Sequence, residues 1–548
     1  MNHGKFFYAS LFFINFLLHT AERGLEDADV RIDQTSATLK LKSQRLTNVE
    51  GIAFVRGCSN IQTLNLNNNE LTSLPAEIVA LTRLKYLQAK NNALQKLPDV
   101  MNKLTHLFFL DMAHNQLRNV PDLNKLINLN SLILDDNYLT ELPLLGKCKN
   151  LRILSISNNQ ITQLVDDGNQ DMFPSSIERL TISGNKLSCL PVSFCKLTKL
   201  VSLDLQNNNL TELPTEFTSL KKLNHLFLAK NRIQQLPNDF FAVVKDGSSN
   251  DITIIDISQN QISQLPQIMP DLITQLHTLR VAHNNLTKMP NFSHELVNLC
   301  EIDFSYNKLT RLTKRITLLP HLMVLKLDGN NLLTLPTILT KCAKLRTLSL
   351  SHNHLTELIN GWKALSSLEF INVSHNQLKN LPDDFGKLGR NSFGDVLIDL
   401  SYNQSKSLPK YLTKGKKYYV LRMSHNLLQS IKASDIKQLL KVKELDLSSN
   451  QITKLSNKIK SLTQLVLLNL AHNNLRALPE TIYLCAQLRT LSLNNNQLVS
   501  LPKQLTCLTN LESMHLHDND PELLTYIFDD EDNQKLFGFI ELLYNQNK

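Results

Sequence analysis

Ile61-Gln62-Thr63-Leu64-Asn65-Leu66-Asn67-Asn68-Asn69-Glu70-Leu71-Thr72-Ser73-Leu74-Pro75 is the stretch that decides the fold. Leu64 and Leu66 alternate with polar neighbours, so both point to one face of a short strand. Asn69 follows at the bend that ends the strand. Its amide offers two donors and an acceptor, enough to satisfy backbone groups that the bend leaves unpaired. Beyond it, Leu71, Leu74, Ile78 and Leu81 cover the other side of the same core. One such unit cannot bury this face alone, so neighbours must stack on it.

The frame returns along the chain. The next unit runs from Leu84 through Leu87, Ala89, Asn92, Leu94 and Leu97 to Pro98. From Asn69 to Asn519, 20 asparagines keep one register, mostly 22 to 24 residues apart. Asn69, Asn92, Asn115, Asn208, Asn330 and Asn496 are members of the expected ladder. A degenerate first unit places Leu39, Leu41, Gln44, Leu46 and Val49 in the matching positions. Proline stands six residues after the asparagine in 14 of the 20 units, where it fixes the chain as it leaves the strand. The outer segment then reads x-x-Leu-x-x-Leu, a short helical or 3-10 pattern.

These units resemble the intracellular leucine-rich repeats of the Ras-group type, which includes Erbin and the plant Ras-group-related proteins. An effector-type bacterial leucine-rich-repeat protein is the other resemblance. Either implies an α/β leucine-rich-repeat solenoid: a curved horseshoe with a parallel β-sheet on the concave face and short helical or 3-10 segments on the convex face. The expected layout is an N-terminal apolar segment and cap over residues 1–35, an array of about 21 units over 36–519, and a capping helix over 520–548. The Ras-group resemblance also implies a small GTPase pathway.

The array leaves little room for anything else. Of 548 residues, 42% are hydrophobic, 6% are aromatic, one is Trp and 15 are Gly, so a large core is affordable and glycine phosphate loops are disfavoured. No phosphate-loop, nucleophile-elbow or His-Glu-x-x-His motif is present. The two flanks are too small for an enzyme domain. The reading is therefore a non-enzyme without cofactor or metal. His114, His283, His352, His375, His425 and His472 each precede a ladder asparagine, but they lack the spacing of a tetrahedral set and read as polar residues at strand ends.

Compartment signals conflict. Cys58, Cys148, Cys342 and Cys485 stand eleven residues before their asparagines, where other units have leucine, and so read as buried hydrophobes in a reducing, cytoplasmic setting. Against this, Phe6 to Leu18 form an apolar run behind Lys5 that resembles a signal peptide cleaved after Ala21, which would make the protein secreted. Three units are lengthened, at Val165–Ser176, Ala242–Asp251 and Leu388–Asp395; each reads either as a surface bulge or as a docking loop. Residues 405–460 hold 13 Lys or Arg against three acids. That segment is either a solvated face or a patch for an acidic partner or an anionic surface, with no module specific for nucleic acid.

Function is read from the strands. Residues six, four and two places before each asparagine are expected on the concave surface. Asp111, Asp204, Asp256, Asp303, Asp399 and Asp446 recur four places before and read as repeat grammar. The informative positions break that grammar: the rings Tyr86, Phe109, Phe227 and Phe370, and the cations Lys90, Arg280, Lys326 and Arg422. Aromatic and Arg side chains concentrate binding energy. The expected function is a monomeric scaffold or adaptor that binds a protein partner on the concave face. The alternative is a secreted or surface recognition protein, including a pathogen effector that binds a host protein.

Overall fold

The computed structural model describes residues 37–47, 60–164, 172–243, 252–266, 275–290, 292, 295–392, 394–410, 412, 419–520 and 538. The apolar run Phe6–Leu18, the two earlier insertions for the most part, Cys58, and the expected cap after Asp520 lie outside them. The chain divides into two units, Met1–Leu276 and His277–Lys548.

Each repeat contributes one short strand, and successive strands pair in parallel. In the first unit Thr63–Asn65 pairs with Tyr86–Gln88, Leu64 opposite Leu87, and Tyr86–Gln88 pairs with Phe109–Asp111. Ten strands, from Thr38–Lys40 to Ile254–Asp256, continue this pattern. Among the described residues, the second unit has eleven in this pattern, from Thr278–Arg280 to Ser513–His515. The parallel order follows from the outer segment, which returns the chain to the same edge before each new strand. One register shift occurs: Tyr419 faces Val442 and Val420 faces Glu444, so Lys443 is an extra residue on the second strand. Such bulges twist a strand locally and re-aim its side chains.

The alternation in the sequence becomes burial. Leu64, Leu66, Leu71, Leu87 and Leu94 are fully buried, as are their equivalents in the interior repeats, whereas Leu39, Leu41, Met514 and Leu516 in the terminal ones are half-buried. Many of the x-x-Leu-x-x-Leu segments are 3-10 helices, for example Ala76–Ala80, Thr215–Ser219 and Glu480–Leu484. The frame's proline is the residue before each of these helices: Pro75, Pro214 and Pro479. In two of the units without proline, a hydroxyl stands there instead. Thr313 accepts from the Arg315 N–H and Ser456 from the Lys458 N–H, which satisfies a terminal donor. In the adjacent repeats with Lys432 and Ser456 at the proline site, a second small ladder forms between Ser430–Ile431 and Lys454–Leu455. The Ser456 N–H donates to the Ile431 carbonyl at 3.0 Å, a bond that proline could not make.

Behind the sheet, the position nine after the asparagine carries bulk. It holds Ile78 and Met101 in early repeats but Phe194, Phe217, Phe240, Trp362 and Phe385 elsewhere, all buried. Phe217 and Phe240 stack at 6.4 Å, and Trp362 meets Phe385 edge to face at 5.1 Å.

The asparagines form the expected ladder with a direction. Asn92 accepts from the Leu71 N–H at 3.0 Å and donates to the Leu66 carbonyl at 3.0 Å, both in the preceding repeat, and to its own Ala89 carbonyl. Asn115, Asn208, Asn330 and Asn496 repeat this geometry, and Asn69 does the same toward Gln44 and Leu41. The residue before each of the 20 asparagines is left-handed, from Asn68 at φ 58° to Asp518 at φ 56°. Asn, Asp, Gly and His dominate there because they tolerate that region best. At Gly329, φ is 60° and an added Cβ would fall 2.4 Å from the Tyr306 ring. That glycine lets the ring lie flat against the next repeat.

Of the lengthened segments, the third is described except for residue 393. It folds back on its predecessor: Gly389 N–H donates to the Leu365 carbonyl and Asn391 N–H to that of Ser366. A Cβ at Gly389, whose φ is 65°, would lie 2.4 Å from the Leu368 oxygen.

The cysteines behave as core residues. Cys148, Cys342 and Cys485 are buried, and their thiols lie against the Leu123, Ile316 and Ile459 carbonyls of the preceding repeats. Burial pushes Cys148, Cys195, Cys342 and Cys485 up to about 11. Only the thiolate attacks. A disulfide-exchange reagent at pH 8 should therefore modify exposed Cys189 and Cys507 first, leaving these four until denaturant is added. Peptide mapping by mass spectrometry reads the order, and early labelling of Cys485 would contradict the packing.

Candidate binding face

All eight residues singled out for partner binding reach solvent on the strand face opposite the core. Tyr86 is 40% exposed. Arg422 is also exposed, and Lys90, Phe109, Phe227, Arg280, Lys326 and Phe370 are half-buried. The columns six and four places before the asparagine form this face. The column two places before is partly closed. Ala113, Ala229, Ala282 and Ala471 are buried, as are Ser305, Ser351, Ser374 and Ser401. There the chain is already turning into the left-handed residue, and Ala or Ser packs between repeats, whereas Asn67, Lys90, Asp135, Gln206 and Asp328 stay half-buried.

In the first unit, Tyr86 and Phe109 are opposite each other on adjacent strands, with ring centroids 6.4 Å apart. Phe108, 41% exposed, meets the Tyr86 ring edge to face at 5.9 Å. The repeat frame gives no reason to pick Phe108, which lies just outside the strand; its pairing with Tyr86 reveals it. Phe227 stacks parallel to His225 at 6.4 Å. Phe370 has Thr347 and Leu397 as its cross-strand partners.

The cations differ in what holds them. Arg280 is paired with Glu301 at 2.9 Å and Lys326 with Asp303 at 3.8 Å, each across one strand. Among the described residues, no hydrogen-bond or ion-pair partner is found for the Arg422 guanidinium. The aspartate column has a structural duty. Each of Asp111, Asp204, Asp256, Asp303, Asp399 and Asp446 accepts the backbone N–H two residues on, at 3.0–3.1 Å. These carboxylates hold the strand-end bend while keeping a charge on the face.

A cavity of about 450 Å³ opens on this face in the second unit. Asp399, Arg422 and Asp446 face one another across three strands of its floor. Beside them run Val420, Glu444 and Leu467, and its rim is His375 and Tyr402. The rim belongs to a stack of four rings at the left-handed positions. His352 lies on His375 at 3.9 Å, His375 on Tyr402 at 4.0 Å, and Tyr402 on His425 at 4.0 Å. Burial, and then the neighbouring His352, hold the His375 imidazole below its usual pKa. A histidine column that reads as strand-end polarity is thus also an inter-repeat stacking device. Among the described residues, no three His, Cys, Asp or Glu side chains are grouped to hold a metal ion.

Several described lysines of 405–460 lie away from this face. Lys432, Lys437, Lys458 and Lys460 are exposed on segments between strands, and Lys454 is exposed on the small outer ladder. Lys410 and Lys443 pair with Asp383 and Asp395. Lys414, Lys416 and Lys417 lie outside the described residues.

Comparison with known families and structures agrees with this geometry. A leucine-rich-repeat model matches residues 37–94, 149–210, 320–378 and 417–475, and a two-copy leucine-rich-repeat model matches 127–168. No similar sequence is found among curated proteins. Among solved structures, the plant peptide hormone receptor RGFR1 in complex with RGF2 is 26% identical, covers 88% of this chain and 86% of that chain, and superposes with a TM-score of 0.59. YopM from Yersinia enterocolitica is 23% identical over 89% of this chain and 99% of that one, with a TM-score of 0.54. The Arabidopsis receptor kinase HAESA, in complex with the peptide hormone IDA and the co-receptor SERK1, is 23% identical over 90% and 84%, at 0.56. The last two likenesses speak to the fold alone.

Proposed function

This chain is a leucine-rich-repeat protein, and we propose that it is a non-catalytic adaptor that holds a protein or peptide partner on the exposed face of its sheet. One observation carries this reading. Tyr86, Phe109 and neighbouring Phe108 set three rings together on a surface where the repeat grammar asks for small polar residues. Clustered exposed aromatics are what partner hot spots are made of. The RGFR1 structure, with its bound RGF2, supports a peptide or protein as the occupant. The proline-marked outer segments support the Ras-group type, and with it a small GTPase pathway. Buried thiols in place of core leucines support a reducing compartment.

The likeness to a hormone receptor favours a second reading, a secreted or surface recognition protein. The N-terminus of the mature protein separates the two. Cleavage after Ala21 supports secretion, and retention of Met1 in a cytosolic fraction supports the adaptor.

Alanine at Tyr86, Phe109, Phe227 and Phe370 together should weaken partner capture about tenfold or more, since anchors of this kind are each worth roughly 2 kcal/mol. Melting should be unchanged, because none of the four is a core residue. The check is affinity capture with the native and substituted chains, compared by mass spectrometry. A partner set retained equally by both would remove these rings from the site.

A further inference from the structure

Charge is sorted in the second unit. Residues 277–548 carry 32 Lys or Arg against 23 Asp or Glu, so this half holds the whole net charge of +9 and residues 1–276 balance. Its sheet face has the opposite sign. Across the six-, four- and two-before columns, three cations, Arg280, Lys326 and Arg422, meet six carboxylates. Glu301 and Asp303 are paired with the first two cations. Asp328 is held by the Ser349 and Ser351 hydroxyls at 2.6 Å each. What remains is the cavity: Asp399, Glu444 and Asp446 around a single Arg422.

We propose that this cavity seats a lysine or arginine side chain from an extended, basic segment of the partner. The proposal rests on the adaptor reading above and names the chemistry of its occupant. Charge complementarity selects the class, since three carboxylates outweigh one guanidinium where the rest of the unit is strongly basic. Shape selects the long side chain. Val420 and Leu467 flank Glu444 in register, so an aliphatic stem lies along them while its charged head reaches Glu444 and Asp446. Glu444 is exposed and, among the described residues, its carboxylate has no hydrogen-bond or ion-pair partner. Tyr402 has both ring faces covered by histidines, so the rim bounds the seat with ring edges instead of offering a stacking surface. Arg422 sets the sign: it repels the guest modestly and tempers the site.

The test uses the full chain and two fluorescein-labelled peptides, Gly-Ser-Lys-Gly-Lys-Gly-Ser and its counterpart with Glu for both Lys, read by anisotropy at low salt. The lysine peptide should bind. Glu444→Gln with Asp446→Asn should weaken it about fivefold, as two exposed ion pairs would, and Arg422→Gln should tighten it. The Asp446→Asn change keeps an oxygen acceptor for the Ser448 N–H, and equal melting of each variant establishes folding. Indifference of the lysine peptide to the double substitution would overturn the proposal. So would absence of binding, or a glutamate peptide whose binding is lost in Arg422→Gln, which would mark the cavity as an anion seat. These peptides need no natural partner, so their failure leaves the adaptor reading standing. Loss of that reading would show instead in the aromatic variant.

Discussion

Trp362→Ala should destabilise the second unit by about 3–5 kcal/mol, the range for emptying a large aromatic site in a core. Trp362 is fully buried nine residues after Asn353, at the place other repeats give to Ile78 or Leu339. Its ring packs edge to face on Phe385 of the next repeat, and its indole N–H donates to the Ile359 carbonyl. The segment around it is held from the same neighbour: Asp384 accepts the N–H groups of Gly361 at 3.1 Å and Lys363 at 3.4 Å. Alanine would leave a cavity that these bonds prevent from collapsing. Urea unfolding followed by circular dichroism measures the loss, because the variant has no tryptophan left. A change under about 1 kcal/mol would mean that the outer segment is uncoupled from the sheet. In the native chain this sole tryptophan also makes fluorescence a reporter of the second unit alone.

Asn208→Ala should cost about 2–4 kcal/mol, since more than one buried backbone group loses its partner. Asn208 accepts the Leu187 N–H at 3.0 Å and donates to the Ile182 and Leu205 carbonyls at 2.9 and 3.1 Å. Asn208→Asp retains the acceptor but not the donors, and sets a charge beside two carbonyls, so it should not rescue. The urea midpoint gives the loss. Hydrogen exchange locates it, with the Leu187 amide losing protection while distant repeats keep theirs, because each repeat depends on its neighbours. An unchanged midpoint would mean that water serves these groups equally well.

Much of this was readable before any coordinates. Alternating leucines, the asparagine register and the proline mark each have a local cause, and each produced the element expected of it. The binding candidates were readable as departures from a pattern, which is why Tyr86, Phe109 and Arg422 could be named. What escaped depends on registry between repeats. The left-handed column carries residues as different as Asn207, Lys230, Tyr306 and His472, and only its backbone angle unites them. The His352–His425 ring stack needs four repeats aligned to within a ring thickness. Likewise, Ala229, Ala282, Ser351 and Ser374, two before their asparagines, look like solvent-facing positions, yet closeness between neighbours buries them. Phe108 lies outside the frame and gains meaning only from the tyrosine across from it.

The amide ladder has one further consequence. Within each unit, a rung serves the turn behind it and waits on the one ahead, so the array is a one-way chain of obligations. Asn519 still discharges its own, accepting the Leu498 N–H and donating to the Leu493 carbonyl. The donor that a further ladder asparagine would serve belongs to position 521, and position 521 is proline, which has no N–H to offer it. The side-chain ladder therefore meets no such donor after its last described rung.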